Sequence, residues 1–193
     1  QWTQQLGTSS EDAAYGITVL SNYIYVTGTT YGGLDNYSNS FGSSDIFLVK
    51  YNSSGVRLWT NQFGTSSEDV AYGLAVVSND NSTEFIYVTG YTKGNLNGES
   101  NSGNSDIFLV KYYDNGTNSG VHQWTKLLGT SSAEEGRSVT VDSSNNIYLT
   151  GLTEGALTGT NLGNYDAILT KYDSDGNKQW DRQMSTSSGE HGY

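Results

Sequence analysis

The sequence predicts an all-β chain built of β-propeller blades: three four-stranded antiparallel repeats and the start of a fourth. Three observations predict it. Trp2, Trp59, Trp124 and Trp180 recur at intervals of 57, 65 and 56 residues, and the segments between them resemble one another. Each interval holds four short runs rich in Val, Ile, Tyr, Phe and Thr, bounded by Gly, Asn and Ser clusters, which is how strands and turns read. The composition agrees: 12% of the residues are aromatic, 24 are Gly and none is Pro or Cys. Disordered chains lack such an aromatic content. Sheets joined by Gly-rich turns account for it.

The elements repeat in a fixed order. After each Trp comes a loop: LGTSSEDAAYG from Leu6, FGTSSEDVAYG from Phe63, LGTSSAEEGRS from Leu128 and MSTSSGEHGY from Met184. Next comes a run ending in Thr-Gly, at Ile24, Ile86 and Ile147. A Gly- and Asn-rich loop then delivers DIFLVKY from Asp45, DIFLVKY from Asp106 and DAILTKY from Asp166. In the first repeat the strands are expected at 14–20, 23–30, 45–52 and 56–63. Residues 1–13 read as the trailing strand and loop of a preceding blade. Blades follow at 14–63, 64–128 and 129–184, and 185–193 start the next repeat. The middle repeat is longer near Asn79–Thr83 and Asp114–Asn118, both at expected turns, where insertions are tolerated. No window shows a sustained helical period with a cap and a stop.

A four-strand period of roughly 40–60 residues is the size of one propeller blade. A parallel β-helix uses shorter coils. Two immunoglobulin-like sandwiches could absorb the strand count but would not produce three alike four-strand units. The chain opens on Gln1, so it reads as a mature or excised product. Three blades fall below the usual 4–8 of a closed ring. The expectation is therefore a segment of a longer protein with further blades, or a chain whose neighbouring copies stack on its open faces.

The motif W-x3-LGT-x-x-x-D-x-x-x-G, then IYVTG-x-T, then G-x-x-D-x-FLVKY-x-x-x-G-x-x-x-W, resembles the SBBP repeat, a family named for a seven-bladed β-propeller. The resemblance runs along essentially the whole chain. It implies the propeller fold and an extracellular or cell-surface location, because the family occurs mainly in large secreted or surface-anchored bacterial and archaeal proteins. It implies no particular activity. The third repeat departs from the others, with Glu134 and Glu135 near the usual Glu-Asp pair and Arg137 in place of Tyr. The fourth start has Ser185 in place of the loop Gly.

Charge and composition exclude several functions. Lys+Arg is 9 against Asp+Glu 20, a formal net charge of −11. Such a surface repels nucleic-acid phosphates and anionic membranes. No stretch is long and apolar enough for membrane insertion. Without Cys there is no thiol nucleophile, disulfide or Cys-ligated zinc. His122 and His191 are the two histidines, and neither sits in a Ser-His-Asp arrangement with independent support. No catalytic residue and no cofactor-binding loop is identified, and a hydrolase or lyase ranks last.

The candidate chemistry lies in loops. Glu11/Asp12, Glu68/Asp69 and Glu134/Glu135 precede the first strand of each blade. Glu11, Asp12, Glu68 and Asp69 are the candidates for a cation, which would be calcium-like and take loop carboxylates and carbonyls. Alternatively, the Asp side chains cap turns by accepting backbone N–H bonds. Asp45, Asp106 and Asp166 open the third strands and are expected to tie down the preceding loop. Asp173-Ser174-Asp175-Gly176 reads as a hairpin turn. The repeated Trp residues are expected to pack between blades, with Trp59 and Trp124 largely buried; stacking on sugars is the alternative. Sequons at Asn36, Asn52, Asn81 and Asn115 are as frequent as chance gives, and all fall in expected loops, where glycosylation could occur.

Two functions are consistent with these features. One is a non-catalytic extracellular module for surface structure, adhesion or scaffolding. The other is a carbohydrate- or peptide-binding propeller, assisted by calcium, acting at the loop face or the channel mouth.

Overall fold

A computed structural model of the chain describes residues 1–35, 42–78, 83–116 and 119–185. It holds three four-stranded sheets, each a simple antiparallel meander. The first blade is β1 (Asp12–Leu20), β2 (Tyr23–Thr30), β3 (Asp45–Asn52) and β4 (Arg57–Phe63). The second is β5 (Asp69–Ser78), β6 (Glu84–Thr92), β7 (Asp106–Asp114) and β8 (Val121–Leu128). The third is β9 (Glu134–Val141), β10 (Ile147–Thr153), β11 (Asp166–Tyr172) and β12 (Lys178–Met184). No helix occurs among the described residues. The sheets do not close into a ring. β1 begins two residues earlier than expected and β4 one later, while β2 and β3 fall at the expected positions.

β5 lies between β1 and β9, so the first strand of each blade is the inner one. β4, β8 and β12 are outermost. Blades are stitched at the start of each third strand. The Asp69 N–H donates to Ser44 C=O (3.1 Å), and Glu134 N–H donates to Ser105 C=O (2.9 Å). These are short parallel bridges between otherwise antiparallel sheets.

Why the third strands read as unbroken apolar runs now follows from the packing. Successive side chains of a strand point to opposite faces. Each inner face of a blade meets a neighbouring sheet, so both faces must be apolar. Ile46 and Leu48 of β3 join Ala71, Leu74, Ile86, Val88 and Phe108 in the core between the first two blades. Phe47, Val49 and Tyr51 point the other way, into a smaller cluster with Leu34. The second junction repeats the first: Tyr87, Ile107 and Leu109 pack on Val139, Ile147 and Leu149.

The outward face of the first blade has no such cover. Ile17 and Leu74 occupy the same position of successive repeats, yet Ile17 is 70% exposed and Leu74 9%. On that face Trp2, Leu6, Ile17, Ile24, Phe47 and Tyr51 line an apolar cavity of about 360 Å³.

Trp2, Trp59 and Trp124 each cross to the hairpin of the following blade. The Trp2 ring lies 2.5 Å from where a Cβ on Gly55 would sit, Trp59 3.2 Å from that of Gly120, and Trp124 3.1 Å from that of Gly176. The Trp2 indole N–H donates to Ser53 C=O at 3.0 Å. Trp59 is buried, as its position between blades predicts. Trp124 is only half-buried, contrary to expectation. Its indole faces the short Asp173–Asn177 turn, whereas Trp59 faces the longer hairpin of the middle repeat.

A second repeated device is the Lys of the third strand. Lys50 is buried, and its ammonium bonds Glu84 (2.5 Å) and Asp114 (2.8 Å) of the next blade. It lies 3.8 Å from the centroid of the Tyr23 ring. Lys111 repeats the geometry against Phe85 (4.6 Å). Its ammonium donates to Ser174 C=O at 2.8 Å. Burial pushes the Lys111 ammonium below its ordinary range, because only a carbonyl balances it directly.

Candidate functional site at the inner rim

The acidic loop residues divide into two roles. Asp12 accepts from the Thr8 N–H (2.6 Å) and hydroxyl (3.1 Å), and from the Thr30 hydroxyl (2.5 Å). Asp69 accepts from the Thr65 N–H (2.5 Å) and hydroxyl (2.9 Å). Glu134 accepts from the Thr130 N–H (2.6 Å) and hydroxyl (2.7 Å), and from the Thr153 hydroxyl (2.7 Å). These three are one repeated position, the acceptor that closes the Gly-Thr-Ser-Ser turn. The equivalent of Asp12 in the third repeat is therefore Glu134, not Glu135, and Ala133 stands where Glu11 and Glu68 do.

Glu11 and Glu68 lie one residue earlier. The Glu11 side chain is exposed. Glu68 accepts from the Tyr91 hydroxyl and pairs with Lys93 at 3.2 Å. These contacts, the Tyr91 bond first, hold its carboxyl below the ordinary range. The four cation candidates are thus split between turn-capping and outward-facing positions. No three acidic or histidine side chains converge among the described residues.

Two pairs of carboxylates meet inside the blade junctions. The site of a Cβ on Gly64 lies 2.5 Å from Asp45 Oδ1 and 2.9 Å from Asp69 Oδ2. Gly129 sits likewise 2.1 Å from Asp106 Oδ1. All four carboxyls, with Glu134 as the fourth, are buried. Burial, reinforced by the facing carboxylates of Asp45 and Glu134, pushes Asp69 and Asp106 above the ordinary range. Asp106 ties down its loop through the Ser102 N–H (2.9 Å), as expected. Asp45 receives the Gln62 amide (2.8 Å), and Asp166 receives the Gln183 amide and the Ser185 hydroxyl (both 2.6 Å). At Asp166 these described bonds come from side chains.

His122 lies within β8, not in a turn. Its Nε2 is 2.9 Å from the Thr125 hydroxyl, and its ring meets Tyr112 edge-on. Burial keeps it below its ordinary range. Asn52 ends β3 and its side chain accepts from the Ser54 and Val56 N–H groups. Asn115 follows β7. Asn36, Asn81 and His191 lie outside the described residues. Asp173 caps its hairpin, accepting from the Asp175 and Asn177 N–H groups at 3.0 and 2.9 Å.

The inner strands present a set of residues that the sequence did not single out. Each carries a β-bulge at the same place. Pairing skips Tyr15 between Ala14 and Gly16, Tyr72 between Ala71 and Gly73, and Arg137 between Gly136 and Ser138. The cause lies across the ladder, in the Thr-Gly pair. A Cβ on Gly28 would sit 1.9 Å from Ala13 C=O, one on Gly90 1.9 Å from Val70 C=O, and one on Gly151 2.1 Å from Glu135 C=O. Only Gly admits the bulged backbone, and a bulge re-aims the side chain it carries.

The re-aimed side chains line up across the blades. Tyr15 and Tyr72 meet edge-to-face with centroids 5.3 Å apart. The Arg137 guanidinium lies 4.4 Å from the Tyr72 centroid. It pairs with Glu135 at 2.6 Å. Tyr91 packs tilted against Tyr72, with centroids 6.0 Å apart. Beyond Arg137, Ser132, Glu154, Gly163, Asn164 and Tyr165 line an open polar depression. The Tyr165 hydroxyl bonds Glu154, which raises its phenol. Arg137 standing where two repeats have Tyr was the one trace of this row in the sequence.

Blades of this form define a β-propeller repeat protein. The family model described as a beta-propeller repeat, SBBP, matches residues 123–157. Those residues run from β8 through the inner strand β9 and the Thr-Gly strand β10. The chain accordingly carries an SBBP-type β-propeller repeat at residues 123–157.

Two curated relatives are similar to it. An uncharacterized WD repeat-containing protein of Acanthamoeba polyphaga mimivirus is 32% identical over 136 residues, covering 62% of this chain and 9% of that protein. The regulatory protein FlaEY of Caulobacter vibrioides is 30% identical over 147 residues, covering 72% of this chain and 15% of that protein. The chain spans less than a sixth of the length of either relative.

Proposed function

We propose that the chain is a non-catalytic extracellular propeller module for surface structure, adhesion or scaffolding, whose two open faces receive further blades of the same kind. These blades come from a longer chain or from neighbouring copies. One observation carries the reading: a repeat position that is 9% exposed at Leu74, inside a junction, is 70% exposed at Ile17. A monomer rarely leaves such a face to water. The internal junction shows what covers it, namely the Tyr25, Ile46, Leu48 and Trp59 surface of a preceding blade. The other end has the matching half, since Lys171 lies 5.4 Å from the Tyr148 centroid and has no ion-pair partner among the described residues.

Light scattering and labelling of intact source cells test this proposal. Further blades or copies on the chain, together with labelling by a membrane-impermeant reagent, are the expected result. A lone three-blade monomer confined to the cell interior would refute it.

A second reading is favoured by the Tyr15–Tyr72–Arg137 row. In it the channel mouth binds a carbohydrate or peptide. Calcium would assist at Glu11, Asp12, Glu68 and Asp69, drawing further oxygens from the turn carbonyls. Calorimetry with calcium against a chelator-treated sample tests that part, and the absence of both heat and a melting shift removes it.

A further inference from the structure

We infer that the inner rim is a saccharide site: a neutral oligosaccharide stacks one ring on Tyr15 beside Tyr72, and the hydroxyls of its further residues bond the Glu135–Arg137 pair and the Glu154–Tyr165 depression. This rests on the second reading above and gives it a ligand class and residues.

The first support is the way the repeats are built. Every repeat keeps Thr-Gly opposite the bulge, at Gly28, Gly90 and Gly151. The side chain presented by the bulge is what varies: Tyr15, Tyr72, then Arg137. Core positions would vary only within apolar types. A backbone held constant to aim a changing polar or aromatic residue inward is the pattern of a surface that reads a ligand.

The second support is chemical. Tyr15 is 54% exposed, and a Tyr face offers a flat apolar platform with a polar tip. Arg137 brings planar donors over the neighbouring Tyr72 ring, and its buried Nε–H has no acceptor among the described residues. Glu135 and Glu154 bring acceptors. The adjoining depression, lined by Ser132, Glu154, Gly163, Asn164 and Tyr165, is shallow, open and polar. Hydroxyl groups on an apolar ring match this mixture of donors, acceptors and aromatic face.

The third support is charge, which selects neutral sugars over acidic ones. Arg137 is committed to Glu135 and Lys93 to Glu68. The chain carries a net charge of −11. A sulfated or sialylated glycan meets repulsion with no spare cation among the described rim residues.

The full chain is applied to an array of neutral, sialylated and sulfated oligosaccharides, and hits are titrated by calorimetry. Neutral oligosaccharides are expected to bind. Tyr15→Ala, at an exposed position, should weaken that binding about tenfold with unchanged melting temperature, and Arg137→Gln, which also gives up the Glu135 pair, should weaken it about as much in a chain that still folds. Asp173→Asn, on the outer hairpin, should leave it unchanged. No neutral hit, hits confined to charged glycans, or hits indifferent to both rim variants would each overturn the site. So would binding of a peptide library in place of the glycans. Cleavage of a bound glycan, seen by mass spectrometry, would instead overturn the non-catalytic reading and leave the rim site standing.

Discussion

Trp59 donates its indole N–H to Asp114 across the first blade junction, at 3.0 Å. The same Asp114 oxygen takes the Lys50 ammonium, and Glu84 accepts from both that ammonium and the Tyr25 hydroxyl. An aromatic packing residue and a buried cation are thus held by one carboxylate, which belongs to the neighbouring blade.

Removing that carboxylate leaves the buried Lys50 ammonium with Glu84 alone and the buried Trp59 indole N–H without its acceptor. Asp114→Ala should cost about 3–5 kcal/mol. Adding Lys50→Met should recover part of the loss, because the ammonium is then gone as well. A double-mutant cycle by denaturant unfolding reads the coupling. Additive costs would show that the two groups do not act as a pair.

The Trp residues should rank by how much the following blade covers them. Trp59 is 6% exposed and Trp2 46%. Trp59→Ala should cost about 3–5 kcal/mol. The half-buried Trp124 should lose less, and Trp2 least. Equal losses at Trp59 and Trp2 in chemical unfolding would contradict packing between blades as their role.

The Thr-Gly pair should be intolerant. Gly90→Ala places a methyl 1.9 Å from Val70 C=O, a backbone atom that cannot rotate away. The bulge must then close or the ladder part. A loss of about 3 kcal/mol or more is expected. Thermal melting of Gly28→Ala, Gly90→Ala and Gly151→Ala should show the same fall in each blade.

The junction carboxyls should make stability depend on pH. Asp69 and Asp106 have folded values raised above their unfolded ones. The folded chain therefore binds their protons more tightly. Their contribution is complete below the ordinary carboxylate range, near pH 4, and is lost as pH rises through the raised values. Glu68 and Asp114 are lowered, so their contribution runs the other way and is lost in acid. Asp106→Asn isolates the first effect. Relative to the parent chain, its melting temperature should improve as pH rises from 4 to 8. A difference that does not change with pH would exclude any role for the raised carboxyl.

Much of the fold was legible because the repeats are nearly copies. Three DIFLVKY-type runs and three Thr-Gly pairs fix the strands, and Trp spacing fixes the blades. The channel row was not legible. A bulge shifts the side-chain alternation by one residue, so Tyr15 and Tyr72 read as ordinary strand tyrosines. Their alignment with Arg137 needs three blades turned about a common axis. The acidic pairs misled for a related reason. Adjacent carboxylates such as Glu11 and Asp12 point to different surroundings, whereas Asp106 and Glu134, 28 positions apart, meet in one junction. The half-burial of Trp124 depends on the length of the next hairpin, which no local pattern encodes.

Whether the exposed face of the first blade is a blade junction is most directly measured at Ile17. Fusing a copy of residues 12–57 ahead of Gln1 supplies three strands to pair with the Trp2 segment as their fourth. In the present chain Ile17→Ala should cost no more than about 0.5 kcal/mol, as at an exposed site. In the lengthened chain it should cost about 2–5 kcal/mol, as at a buried one. The same small cost in both chains would contradict the assignment of that face as a junction for a further blade.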